Sequence, residues 1–150
     1  MNLEEKINEQ LKAAIKSADK IKMETLRSIR ASIIEFNKSG ADRNMNEDDE
    51  IKLLKTAQKR RKDAIEMYEK GGRQELADKE KTELDIISTF LPEQASADEI
   101  RTIVLTTIKN VTAEGMKDMG KVMGPVMKAL KGKADGNLVR QIVQTELGKI

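Results

Sequence analysis

The stretch Asp118–Leu147, "DMGKVMGPVMKALKGKADGNLVRQIVQTEL", decides how this chain is read. Acidic residues thin out here, methionines cluster and glycines recur. Met119, Val122, Met123, Val126, Met127 and Leu130 fall at steps of three and four, the spacing of one helix face. Lys117, Lys121, Gly124, Lys128 and Lys131 take the other side. Asp118 is expected to cap this helix and Gly132 to end it. Pro125 should kink the helix or open a new first turn, because it lacks an N–H and its ring crowds the preceding turn. "KGKADGN" then makes a short corner, and Asp135 caps a last helix with Leu138, Val139, Ile142, Val143 and Leu147 apolar.

Two compatible readings of this stretch follow. In the first, methionines fill a core and Gly124 permits a close helix crossing, at a cost of up to ~1 kcal/mol relative to Ala. In the second, the corner presents Lys121, Lys128, Lys131 and Lys133, with backbone amides from Gly132 to Gly136, toward phosphates. One face packs while the other binds.

Upstream, the same helical period recurs. Leu3, Ile7, Leu11, Ala14 and Ile15 form one stripe of a helix over about 3–17, with Asn2 and Glu5 as a capping box. Asp19 can cap a second helix, about 20–38, whose stripe is Met23, Leu26, Ile29, Ile33 or Ile34, and Phe36. The short break makes the two an antiparallel hairpin. "SGADRNMN" ends the pair at Gly40. A third helix follows Asn46, opens on the acidic run Glu47–Glu50, and stops at Gly71 and Gly72. Its length is roughly 36 Å. Its seam, Ile51, Leu54, Gln58, Arg61, Ile65 and Tyr68, is interrupted by two polar residues, and Arg61 should pair with an acid such as Glu80 or Glu83. A fourth helix, about 74–89, carries a dense acidic face. "FLPEQAS" is a boundary, since the residue before a proline disfavours helix. Ser96 and Glu99 box a fifth helix, about 97–113. The chain therefore reads as all-α, with a four-helix N-terminal subdomain over 1–92 and a three-helix C-terminal subdomain over 93–150.

Composition agrees with a folded domain. Of 150 residues, 36% are charged and 38% hydrophobic, and the net charge is only +2, so disorder is disfavoured. The balance is uneven: residues 1–90 carry 19 basic and 19 acidic side chains, whereas residues 115–150 carry 7 and 3. There is no Cys and no His, which removes the usual zinc sites and His-assisted nucleophiles. No metal or cofactor is expected. No apolar run approaches ~18 residues, and the polar start "MNLEEKINEQLKAAIK" lacks a signal-peptide core. The expectation is a cytoplasmic protein without membrane partners.

No catalytic constellation stands out. The acids lie beside Lys and Arg at helical spacing, where solvated ion pairs account for them. "GGR" and "GMKDMGK" lack the spacing of a phosphate-cradling loop. A secondary basic stripe, Lys52, Lys55, Lys59 and Lys62, could follow a phosphate backbone, though the acidic fourth helix beside it would neutralise it.

Two long segments, "KRRKDAIEMYEKGGRQELADKEKTELDIISTFLPEQ" and "GMKDMGKVMGPVMKALKGKADGNLVRQIVQTEL", resemble the GatB/YqeY family over the whole chain. The C-terminal part is similar to the tail domain of the B subunit of tRNA-dependent aspartyl/glutamyl amidotransferase. The resemblance implies an all-helical fold and a tail that contacts tRNA away from the reaction centre. It also implies a carbon–nitrogen ligase label, with glutamine as amido donor, that would be inherited and exercised only within a larger complex. The implied RNA-facing set is Lys121, Lys128, Lys131 and Lys133 with Gly132, Asp135 and Gly136; Lys117 and Gly124 flank it. Asp135 and Asp118 are expected to act structurally. Only three aromatics occur, Phe36, Tyr68 and Phe90, so base stacking is implausible and binding should follow phosphates and the shape of a folded RNA. The leading expectation is a non-catalytic tRNA-associated module of the translation machinery. A helical protein-interaction module, docking through the third and fourth helices, is the alternative.

Overall fold

The computed structural model describes residues 1–39 and 43–150. Its described residues form seven α-helices and one short 3-10 turn, with no strand among them. The chain divides into two compact units, Met1–Leu91 and Pro92–Ile150.

In the first unit, α1 (Leu3–Ser17) and α2 (Lys20–Lys38) form a hairpin. Asn2 and Glu5 close the capping box of α1, and the Asp19 carboxylate accepts the Lys22 N–H to start α2. Between them Ala18 is left-handed, and the Asp19 N–H donates to Ala14 O. The Gly40 terminator lies outside the described residues. Helix α3 (Glu47–Lys70) starts on a second capping box, Asn46 with Asp49. It ends where Gly72 takes φ +70° and Arg73 N–H reaches Tyr68 O, a turn that favours glycine. Helix α4 (Gln74–Ser88) packs along α3 and also meets α2. Ile7, Leu26, Ile29, Leu54 and Ile87 make the centre of the core. Each fully buried side chain of this size contributes about 1.5–3 kcal/mol.

Several stripe assignments change. Ile15 is exposed, because the last turn of α1 outlasts the core and Ala14 fills the inward position instead. Ile33 is buried and Ile34 exposed. The polar residues on the α3 seam are half-buried and bond to hydroxyls. Gln58 Nε2 donates to Ser88 Oγ at 3.0 Å. Arg61 Nη2 donates to Ser28 Oγ at 3.2 Å, so its hydrogen-bonded partner is a neutral serine. Glu83 feels the Arg61 charge, but its carboxyl is raised by burial first and by Glu80 second.

The second unit holds α5 (Ala97–Val111), a 3-10 turn (Met116–Asp118), α6 (Met119–Ala129) and α7 (Gly136–Leu147), each helix packed on the other two. Ser96 caps α5, and left-handed Thr112 ends it at Val111, short of the expected Ala113. Ile100, Val104, Val122, Val126, Val139, Val143 and Leu147 form its core. The branched residues meet at the centre, while Met127 and Leu138, read from spacing as apolar-face residues, are exposed. Pro125 sits inside a single helix and does not separate two. Gly132 takes φ +71° in the turn after α6. Gly132→Ala forces Cβ into that conformation and is expected to cost about 1–2 kcal/mol. Urea unfolding should show a lower midpoint with an unchanged slope.

Candidate functional site

The lysine corner is built by α6, the turn after it, and the start of α7. Lys121 and Lys128 are seven positions apart on α6, so they share one face about 10 Å apart along the axis. Gly124 lies between them and is exposed, as are Gly120 and Pro125. A Cβ built at Gly124 or Gly120 meets nothing within 4 Å. Gly124 therefore serves no close helix crossing, and the packing explanation for it falls away.

Lys117 and Lys131 do not belong to the same helix as Lys121. Lys117 lies on the 3-10 turn and Lys131 beyond the end of α6. Gly132 and Lys133 continue the turn, and Gly136 opens α7, where Met127 Cε would lie 3.8 Å from an added Cβ. The turn is tied to the segment before α5. Gln94 Nε2 donates to Gly132 O at 3.0 Å, and Ala95 N–H donates to Lys133 O at 2.7 Å. No local signal marks either bond, since the partners lie 38 residues apart.

The charges are unevenly available. Lys117 pairs with Glu114 at 3.2 Å and Lys121 with Asp118 at 3.4 Å. Lys128 and Lys133 are exposed and make no ion pair among the described residues. The amides are less open to phosphate than their glycine-rich sequence suggests. Lys133 N–H donates to Leu130 O, and the Asp135 carboxylate accepts the Asn137 N–H at 3.2 Å. That carboxylate occupies the electropositive end of α7, where a phosphate would otherwise sit. The side chains of Lys128 and Lys133, with Lys121 beside them, are left as the phosphate-facing groups.

Asp118 precedes α6 but makes no side-chain cap to it. Its carboxylate turns back and accepts the Glu114 N–H at 2.8 Å, which braces the loop from α5. That bond, then the Lys121 and Lys117 charges, hold the carboxyl below its usual range against the effect of burial. A carboxyl lowered in the folded state stabilises above the unfolded value, ~3.9, and that contribution disappears as pH falls through the lowered folded value. Melting temperature should therefore drop as acid is taken below about pH 4. Asp118→Asn should flatten this acid limb in melts followed by circular dichroism.

The secondary stripe is laced to acids. Lys59 pairs with Asp63 at 3.5 Å, and Lys52 lies near enough to Asp49 to lower its carboxyl. Lys55 also has an interaction partner, and Lys62 is exposed. Across the first unit, Lys79 pairs with Glu24 and Lys81 with Glu69. In the second unit a buried charge was not anticipated: Glu146 Oε1 accepts from Arg101 Nε at 3.1 Å and Lys149 Nζ at 3.2 Å, fastening α7 to α5. No group of His, Cys, Asp and Glu among the described residues is placed to hold a metal. No helix among them is long and apolar enough to cross a membrane.

Comparison with known proteins adds relatives of two kinds. Altered inheritance of mitochondria protein 41, mitochondrial, from Pyrenophora tritici-repentis, is 30% identical over 142 residues, covering 92% of this chain and 77% of its own length. A glutamyl-tRNA(Gln) amidotransferase subunit of Thermococcus sibiricus is 40% identical over 72 residues, 45% of this chain but only 11% of that protein. The subunit of the same name from Halobacterium salinarum is 40% identical over 57 residues, 9% of its length. The chain is thus similar to a small piece of the amidotransferase subunits and to most of the fungal protein. The family model described as Yqey-like protein matches residues 4–147, and with a fungal relative aligned over most of both lengths, the chain belongs to that family.

Proposed function

We propose that this chain is a non-catalytic, tRNA-associated accessory module whose C-terminal unit meets the phosphate backbone through Lys128 and Lys133, with Lys121 beside them. The observation that carries the reading is Gly124. It stands exposed in mid-helix between two lysines, packs against nothing within 4 Å, and is followed by a proline. Gly there costs about 1 kcal/mol relative to Ala and Pro more. That cost has no counterpart in core packing and is intelligible if a ligand backbone approaches α6 closely. Similarity to a segment of a glutamyl-tRNA(Gln) amidotransferase subunit supports tRNA as the RNA. A carbon–nitrogen ligase role would belong to an assembly with other subunits, since the chain offers no carboxylate-activating or amide-releasing site. The module would act wherever tRNA is charged, in cytoplasm or organelle.

Titration of labelled total tRNA, with unlabelled single-stranded polypyrimidine as competitor, tests the reading. Binding should favour the folded RNA, because the C-terminal unit has no aromatic side chain for stacking. Absence of tRNA binding at low salt would remove the proposal for the isolated chain.

A further inference from the structure

The first unit carries a feature that tRNA association does not use. Helices α2 and α3 run side by side in opposite directions, Ser28 meeting Arg61 at one end and Phe36 approaching the Arg43–Asp49 pair at the other. Between them lies an open groove of about 390 Å³. Its apolar floor includes Ile29, Phe36, Leu53 and Ala57. It spans Ser28 to Ser39 along α2, about 16 Å or three helical turns.

Its charges are graded. Arg60 and Arg61 sit together at the Ser28 end. The Arg61 guanidinium is half-buried and hydrogen-bonded to a neutral hydroxyl, while Arg60 is exposed and makes no ion pair among the described residues. At the other end, Lys52 and Glu35 oppose each other in sign. Asp49 is already held by Arg43, through one bond of 3.0 Å and a second, shorter one. That guanidinium, then the Asn46 amide, holds the Asp49 carboxyl down to about 2. The groove is therefore basic at one end, near-neutral at the other, and apolar between.

We propose that the α2–α3 groove docks an amphipathic helix of a partner protein, about three turns long, with its acidic residues clustered at the end that meets Arg60 and Arg61. Apolar side chains at i, i+3, i+4 and i+7 would cover the floor, the recurring geometry of a helix in a groove. Carboxylates would supply Arg60 and Arg61 with planar, bidentate partners. A nucleic-acid backbone fits less well, since it offers nothing apolar to cover Phe36 and Leu53 and would face Glu35.

The test uses the full chain and a fluorescein-labelled synthetic peptide of about four helical turns, with leucines on one face and glutamates on the other. A same-composition scramble and unlabelled tRNA are run beside it. The amphipathic peptide should bind, the scramble should not, and tRNA should fail to displace it. Arg60→Glu, at an exposed position, should weaken binding about fivefold, as should Ala57→Arg, which fills the floor. Equal binding of the scramble, displacement by tRNA, indifference to Arg60→Glu, or no binding at millimolar peptide would each overturn the proposal.

Discussion

Ile100→Ala is expected to unfold the second unit at 37 °C while leaving the first helical. Ile100 is fully buried among Val104, Val122, Val126, Val139, Val143 and Leu147. Truncating a buried isoleucine to alanine costs about 2–5 kcal/mol, transfer and cavity together. A unit spanning Pro92–Ile150 is of the size that buries only about 60% of its unfolded surface. At roughly 0.05–0.15 kcal/mol per residue, its whole stability is about 3–9 kcal/mol. The loss is then most of what the unit has. Each unit has its own core cluster, so the effect should stay local. Thermal melts should resolve two transitions, and hydrogen exchange should lose protection in α5–α7 alone. Ile100→Val should cost about 0.5–1.5 kcal/mol and keep the unit folded. A variant melting with the native profile would contradict this picture of the second core.

Lys128→Glu combined with Lys133→Glu should weaken tRNA binding about 30-fold, at about 1 kcal/mol lost per lysine and tenfold per 1.4 kcal/mol. These two are chosen because both are exposed and unpaired among the described residues, whereas Lys121 already faces Asp118 and Lys117 faces Glu114. Lys117→Glu should matter less. Lys55→Glu with Lys59→Glu should leave tRNA binding intact, since Lys59 faces Asp63 and both sit in the acid-laced first unit. Fluorescence anisotropy of labelled tRNA reads all three. Equal losses from both pairs would locate no face at all.

Helix positions were legible because their signals are local. Caps at Asn2, Asp19, Asn46, Ser96 and Asp135 all bond as their spacing implies. Periodicity found the core of α2 and α7 but over-read its edges. Ile15, Met127 and Leu138 have helical spacing yet end up exposed, because a stripe extends past the surface that covers it. Asp118 was read as a forward cap and instead braces the preceding loop, a choice that depends on where the chain comes from. Arg61 found a serine 33 residues away, and Gly132 found Gln94 at a separation of 38. Such pairs exist only once helices are placed, so no spacing could reveal them. The same holds for the α2–α3 groove. At the lysine corner, residue types were legible but their availability was not. Which lysine is paired, and whether Gly124 packs against a neighbour, are properties of the assembled unit.

The most direct test of the account is the salt dependence of tRNA affinity for the native chain beside the Lys128→Glu/Lys133→Glu variant. The logarithm of the association constant should fall linearly with the logarithm of salt for the native chain. The variant, folded by circular dichroism, should show a slope shallower by about two, one for each phosphate that the protein no longer neutralises. Equal slopes for the two proteins, or no tRNA binding by the native chain at low salt, would contradict the assignment of this corner as the phosphate-facing surface.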